Sequence, residues 1–252
     1  MQLLPARRVR QIGLALVLAL TTAGSAAAVQ PDVPSDPAPR GVVRVTERDV
    51  EASNAKIRDA YGALIDMWSA EFRALGERFA APGLARYRGA VRTACGVMPG
   101  NNALYCPSRN TIYFDEVFIA RQARNAAQDL GTDGDMVAVG IIAHEMGHAV
   151  AAQLGEDSRV PYENEATADC LAGAFTQHAQ RDGTLEKGDL EEAFYGMAAA
   201  GDPTPQPTGN RRYDARVVRM VQLMGHGSRQ QRMSNFRTGL DGGPGACLES
   251  FQ

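Results

Sequence analysis

The sequence predicts an α+β fold that is mainly α, with a small antiparallel sheet or hairpin placed before a buried central helix. Three observations carry this. Apolar residues recur at steps of three and four from Ile57 to Phe79; the helical period then fails over residues 85–115, where short β-prone pieces replace it; and residues 136–153 are rich in Ala, Val and Ile on most faces.

The first helix is justified by the stripe Ile57, Tyr61, Leu64, Ile65, Trp68, Phe72, Leu75 and Phe79, with Thr46 and Asp49 suited to its N-terminus. The stripe reads as core. The β-prone pieces are residues 91–94, 103–106 and 111–114, and the last two flank the turn-rich Pro107-Ser108-Arg109-Asn110. A Gly- and Asp-rich loop at residues 131–135 leads into the central helix, which its composition marks as largely buried. A turn at residues 155–161 precedes a helix over about residues 163–181. Asp189 as N-cap, with Glu192 three residues on, opens a helix to about Ala200. Pro203, Pro205 and Pro207 break the chain, and residues 211–224 and 228–240 form two last helices.

Ahead of this domain, assigned to residues 46–252, lie two segments of other character. Residues 1–28 carry Arg7, Arg8 and Arg10, an apolar run from Ile12 to Leu20, and small residues ending in Ser25-Ala26-Ala27-Ala28, the layout of a signal peptide cut after Ala28. Read on through its Thr, Gly and Ala residues, the same run makes a weak uncleaved anchor, so a membrane is a partner only if the leader is retained. Residues 29–45 hold Pro31, Pro34, Pro37 and Pro39 and form an extended linker. Export to the periplasm, the cell envelope or the outside follows. The formal charge of −3 becomes −6 once the leader's three arginines are removed, so the chain lacks the basic footprint of a nucleic-acid binder. In an oxidising compartment the four cysteines read as two disulfides. Of three connectivities, Cys95–Cys106 with Cys170–Cys247 is favoured, because the first pair brackets one short loop-rich segment. A four-thiolate metal site competes, without C-x-x-C knuckles to support it.

The chemistry concentrates in the central helix, at His144-Glu145-Met146-Gly147-His148. Residues four apart share a helical face, so the two imidazoles converge on one cation with Glu145 beside them. Random order would give this pattern only ~0.003 times in such a chain, and such polar groups on an apolar helix need something to satisfy them. A catalytic zinc takes three protein ligands and leaves one position for water. The next helix offers the third in Glu165, with Asp169 one turn on to orient a ligand imidazole through its free N–H. Glu163 is a rival ligand, nearer the turn and without a partner four residues on.

Several blocks then occur in order: Ala94-Cys95-Gly96, Tyr105-Cys106-Pro107, Ile112-Tyr113-Phe114-Asp115, His144 to His148, Ala168-Asp169-Cys170-Leu171-Ala172-Gly173, Leu185-Glu186-x-Gly188-Asp189-Leu190-Glu191-Glu192, and His226-Gly227-Ser228-x-x-Gln231-Arg232. Together, from about Trp68 to Cys247, they resemble the bacterial family of neutral zinc metallopeptidases, and the Glu-x-x-Ala-Asp block is similar to that of gluzincin proteases. The resemblance implies a zincin-like fold, one catalytic Zn²⁺ on His144, His148 and Glu165, and Asp169 as the partner of a ligand. It implies Glu145 as general base and a downstream His226 as stabiliser of the oxyanion, against which stands a simple packing role for His226 near Gly225 and Gly227. It also implies an extended peptide or protein substrate held on the strand above the metal, Ile112 to Phe114 or its neighbour. Two departures stand out: only sixteen residues separate His148 from Glu165, and Ala149 occupies a position where many relatives have a second His.

The function expected is therefore an exported zinc-dependent metallopeptidase. Zinc lowers the pKa of water toward about 7 and polarises the scissile carbonyl, while Glu145 moves the proton. A non-catalytic, zinc-stabilised peptide-binding or envelope scaffold is the alternative, as is a related hydrolase of non-peptide amides or esters. His178 sits on a polar face and reads as solvated.

Overall fold

The computed structural model describes residues 43–252, so the leader assigned to residues 1–28 and most of the linker assigned to residues 29–45 lie outside the described residues. Helix α1 (Glu47–Ala74) begins at Thr46, whose hydroxyl accepts from the Asp49 N–H while the Asp49 carboxylate accepts from the Thr46 N–H at 2.8 Å. The apolar stripe continues past the helix. Leu75 caps it and Gly76, at φ 79°, turns the chain, after which Phe79 folds back onto Phe72 with ring centroids 5.0 Å apart. Phe79 is thus core but not helical.

Five short strands follow: β1 (Gly83–Tyr87), β2 (Val91–Thr93), β3 (Gly96–Met98), β4 (Ala103–Cys106) and β5 (Thr111–Asp115). The expected turn at residues 107–110 does join an antiparallel pair, β4 to β5, with Tyr105 opposite Ile112. Two features differ from expectation. β1 adds to the far side of β5 in parallel, which makes the sheet mixed with order β1-β5-β4, and the piece at residues 91–94 pairs instead with β3 in a separate hairpin. Parallel pairing joins segments that no local turn connects, so turn chemistry gives no sign of it.

Helix α2 (Glu116–Leu130) was not anticipated, because its buried face is mostly alanine, namely Ala120, Ala123 and Ala126 around Ile119. Its ends are marked all the same. Asp115 caps the Val117 and Phe118 N–H groups, and Gly131 closes it in the left-handed region. Helix α3 (Asp135–Leu154) is long and apolar enough to cross a membrane by composition, yet it is the buried axis of the body, packed against α1, α2, α4 (Pro161–Arg181), α5 (Asp189–Ala199) and β4.

The N-terminus of α5 departs from the predicted cap. Gly188 is the N-cap and Asp189 the first helical residue, while Glu192, fully buried, reaches across to accept from the Gly134 and Met136 N–H groups at 2.9 and 2.8 Å. Glu192 therefore caps α3 rather than its own helix, supplying what the Gly134 N-cap has no side chain to give. Helix α6 (Arg211–Met224) and helix α7 (Arg229–Gly242), the latter opened by a Ser228–Gln231 capping box, complete the order.

Close helix contacts fix the centre. A Cβ on Gly147 of α3 would lie 2.9 Å from the Ala168 Cα and backbone oxygen in α4. Between α4 and α7, a Cβ on Gly173 would meet Phe236 O at 1.9 Å and one on Gly239 would meet Cys170 O at 1.7 Å. Trp68, Ile142, Met146, Leu171 and Phe236 fill the core around these crossings. Both favoured disulfides are present: Cys95–Cys106 ties the β2–β3 turn to the end of β4, and Cys170–Cys247 fastens α4 to the C-terminal segment.

Candidate metal centre

His144 and His148 project from one face of α3, one turn apart, with ring centroids 4.8 Å apart and planes at 88°. The α3–α4 crossing at Gly147 and Ala168 brings Glu165 opposite them: Glu165 Oε2 lies 3.2 Å from His144 Nε2 and Oε1 lies 3.6 Å from His148 Nε2. One ligand atom from each of the three falls within 4.8 Å of the others. Glu163 stays outside, exposed and hydrogen-bonded to the Ser158 hydroxyl at the loop.

Behind the ligand face, His144 Nδ1 is 2.9 Å from Asp169 Oδ1, and Asp169 has no exposed surface. The imidazole N–H that donates to this carboxylate is on Nδ1, which leaves a lone pair on Nε2 aimed at Glu165. With His144 neutral, two acceptors would then face each other in a buried place around Glu165 Oε2. A proton on Nε2 or a metal ion between them relieves that arrangement, and an N/N/O donor set with one carboxylate suits zinc. Without a metal ion a proton takes that place, and a metal bound at Nε2 would displace it. Burial works against a charged His144, but Asp169 and Glu165 outweigh it and push its pKa up to about 9. Burial and then the neighbouring His144 push His148 down to about 4. Glu165, although burial opposes its charge, is held down at about 2 by His144 and His148.

Arg232 of α7, 5% exposed, completes the support. Its Nε and Nη2 donate to the two Asp169 oxygens at 3.1 and 2.6 Å, and its Nη1 donates to Ala200 O at 3.2 Å. The chain His144–Asp169–Arg232 thus runs through α3, α4 and α7. Arg232 was given no role from the sequence, although it closes the His226-to-Arg232 block; its partner lies 63 residues earlier and becomes visible only when α4 and α7 pack.

Glu145 is buried, and burial is the main reason its carboxyl is raised. Its Oε2 accepts from the Tyr105 N–H at 2.7 Å, which ties it to β4. Since β5 is paired on both sides, Ile112 to Phe114 have no free edge; of the outer strands β1 and β4, it is β4 whose Ala103 and Leu104 line the cleft with His144. Tyr105 N–H points outward, so by strand alternation the Ala103 N–H and C=O share that edge. A cleft of about 360 Å³ opens beside it, lined by Ala103, Phe118, Ile141, Met197 and the His144–Glu145–His148–Glu165 group. His226 is at the rim, 62% exposed, with Nδ1 3.5 Å from Asp202 Oδ1. His178 is apart from all of this, paired on the surface with Asp182.

A mainly helical body, a small sheet whose outer strand β4 borders the cleft, and a His-Glu-x-x-His helix facing a carboxylate from the next helix define a zincin-like protein. The chain belongs to the family described as "Putative neutral zinc metallopeptidase", whose model matches residues 27–251. It is similar to the uncharacterized protein YpfJ of Escherichia coli strain K12, 35% identical over 204 residues that cover 74% of this chain and 67% of the relative. It is equally similar to YpfJ of Escherichia coli O6:H1 strain CFT073. No solved structure gives a significant match to this chain.

Proposed function

We propose that this chain is an exported zinc-dependent metallopeptidase with His144, His148 and Glu165 as metal ligands and Glu145 as general base. The observation that carries the reading is the convergence of those three ligand atoms within 4.8 Å around a partnerless Glu165 oxygen, with Glu145 beside them on the same helix. A zinc ion there would acidify water and polarise a carbonyl, which is metal-assisted hydrolysis.

Every other part falls to the protein's own groups. The outward edge of β4 aligns an extended peptide through its backbone, and the apolar walls at Phe118, Ile141 and Met197 receive a hydrophobic side chain next to the scissile bond. Glu145, kept in place by the Tyr105 N–H, accepts a proton at its carboxylate and later delivers it to the leaving amine. Asp169 and Arg232 hold His144 in the tautomer that leaves Nε2 bare. His226 at the rim supplies a donor to the oxyanion. Export is supported by the signal-like residues 1–28 and by two disulfides of the kind that persist in oxidising compartments.

The test is metal content of the purified chain, wild type beside His148→Ala and Glu165→Ala, with a quenched-peptide library on the same samples. The expected result is one zinc per chain, weakened in both variants, and cleavage that a chelator abolishes. Zinc without cleavage of any peptide points to a scaffold, and no zinc removes the reading.

A further inference from the structure

Helix α6 stands out among the described residues as a helix of fourteen residues in which none is buried. The chain leaves the body after α5, passes the prolines at 203, 205 and 207, forms α6 and returns at Gly227, where Asp202 N–H donates to Gly227 O and Gly227 N–H donates to the Asp202 carboxylate. Residues 203–226 are therefore an excursion closed at its neck. Within α6 only Asp214, Val217 and Val221 are half-buried, on the side packed against α4.

The outer face has two adjacent stripes. Tyr213, Met220 and Met224 follow helical steps of seven and four, and with Leu223 they are 43% to 64% exposed. Arg212, Arg216 and Arg219 follow the same kind of spacing, one residue earlier along the chain, so they run along the flank of that apolar stripe. The helix has four arginines and one acid, in a chain of formal charge −3. The acid, Asp214, is engaged by the loop that opens the helix: its carboxylate accepts from the Thr208 N–H and hydroxyl at 2.9 and 2.7 Å and from the Gly209 N–H at 3.2 Å. What the rest of the exposed face presents is cationic and apolar together.

We infer that α6 is an interfacial helix that docks this protein on an anionic phospholipid surface. An anionic bilayer meets both stripes at once. Its phosphates pair with the arginine flank, and its headgroup–acyl boundary takes up the thioether, leucine and phenol side chains, an apolar stripe with basic residues being the pattern of helices that lie in that boundary. A second copy of this chain fits less well, because a twofold contact would set the same arginine row against itself. Docking has a consequence for the cleft. Helix α6 joins α7 through Gly225-His226-Gly227, and His226 lines the cleft rim, so anchoring α6 holds that rim near the lipid surface. The inference stands on α6 alone and does not depend on zinc or on catalysis.

The experiment is co-sedimentation of the full chain with vesicles of equal parts phosphatidylglycerol and phosphatidylcholine, and with phosphatidylcholine alone. Wild type is compared with R212E/R216E/R219E and with M220D/M224D. All these positions are exposed, so circular dichroism and melting should match wild type, and any binding by the N-terminal apolar run is common to all three proteins. The expected result is partition to the anionic vesicles that weakens with salt, falls by ~100-fold or more on reversing the arginines and by ~10-fold or more in the methionine pair. Equal partition of all three proteins, or no partition of the wild type, overturns the inference. So does a concentration-dependent dimer, seen by light scattering, that either variant abolishes, since that assigns the face to a second copy.

Discussion

Glu145, tied to β4, and Arg232, tied to Asp169, serve the centre through different partners, and they should fail differently. Glu145→Gln keeps shape and can still accept from the Tyr105 N–H, so zinc content should be unchanged while turnover falls by roughly 10²- to 10⁴-fold, the usual worth of a positioned proton acceptor. Metal analysis and single-substrate kinetics on one preparation check this; equal turnover removes Glu145 from the chemistry. Arg232→Gln leaves a buried Asp169 charge without its bidentate partner and frees the imidazole it orients, so zinc affinity should weaken by roughly 10- to 100-fold. A competitive zinc titration reads that loss independently of activity. Asp169→Asn, which keeps an acceptor for His144 but removes the charge, should lose less in the Arg232→Gln background than alone, because the two act through one pair. The residues on α3 were legible in the sequence since they lie within one helical turn. Arg232 was not, because its meaning comes from α4 and α7 meeting.

At the scale of elements, the site is as exact as the crossings that hold it. Gly147→Ala places a methyl 2.9 Å from the Ala168 backbone, so α3 and α4 must part by several tenths of an ångström at the level where Glu165 faces the histidines. The expected outcome is weaker zinc binding together with a loss of stability of about 1–3 kcal/mol, as for overpacked interiors. Gly173→Ala and Gly239→Ala meet carbonyl oxygens at under 2 Å across α4 and α7 and should cost more, which thermal melts of the apo and zinc-loaded proteins will rank. Replacing Cys170 and Cys247 by alanine opens a link of sequence separation 77 and is expected to cost about 4 kcal/mol in the chain-entropy picture, without removing a ligand. The apolar stripe of α1, the apolar run of α3 and the Gly and Pro breaks between later segments made α1, α3, α4, α5, α6 and α7 readable in advance. Helix α2 was missed because an alanine face has little contrast with its surroundings, β1 because its partner is parallel and distant, and Glu192 because a capping signal in sequence does not say whose helix it caps.

For the whole molecule, the proposed metal centre is a joint between α3 and α4, and α7 braces it through Arg232. Without zinc a proton on His144 faces the Glu165 carboxylate, and an ion that binds the folded chain but not the unfolded one adds to its stability. Linkage gives the size. Free zinc at 1,000 times its dissociation constant stabilises by about 4 kcal/mol, and a domain of this length shifts its melting temperature by roughly 2–4 °C per kcal/mol. A chelator should therefore lower Tm by about 8–16 °C, and restoring zinc should return it. The variants sort the cause. Glu145→Gln should keep the whole shift, since it is not a ligand, whereas His148→Ala and Glu165→Ala should lose most of it at the same zinc concentration. Magnesium at millimolar concentration should restore none of it, because a site of two imidazoles and one carboxylate lacks the oxygen octahedron that ion requires. Scanning calorimetry of the four proteins decides the matter: a shift of equal size in wild type and in both ligand variants would mean that zinc binds elsewhere in the fold, and would take the joint between α3 and α4 out of the account.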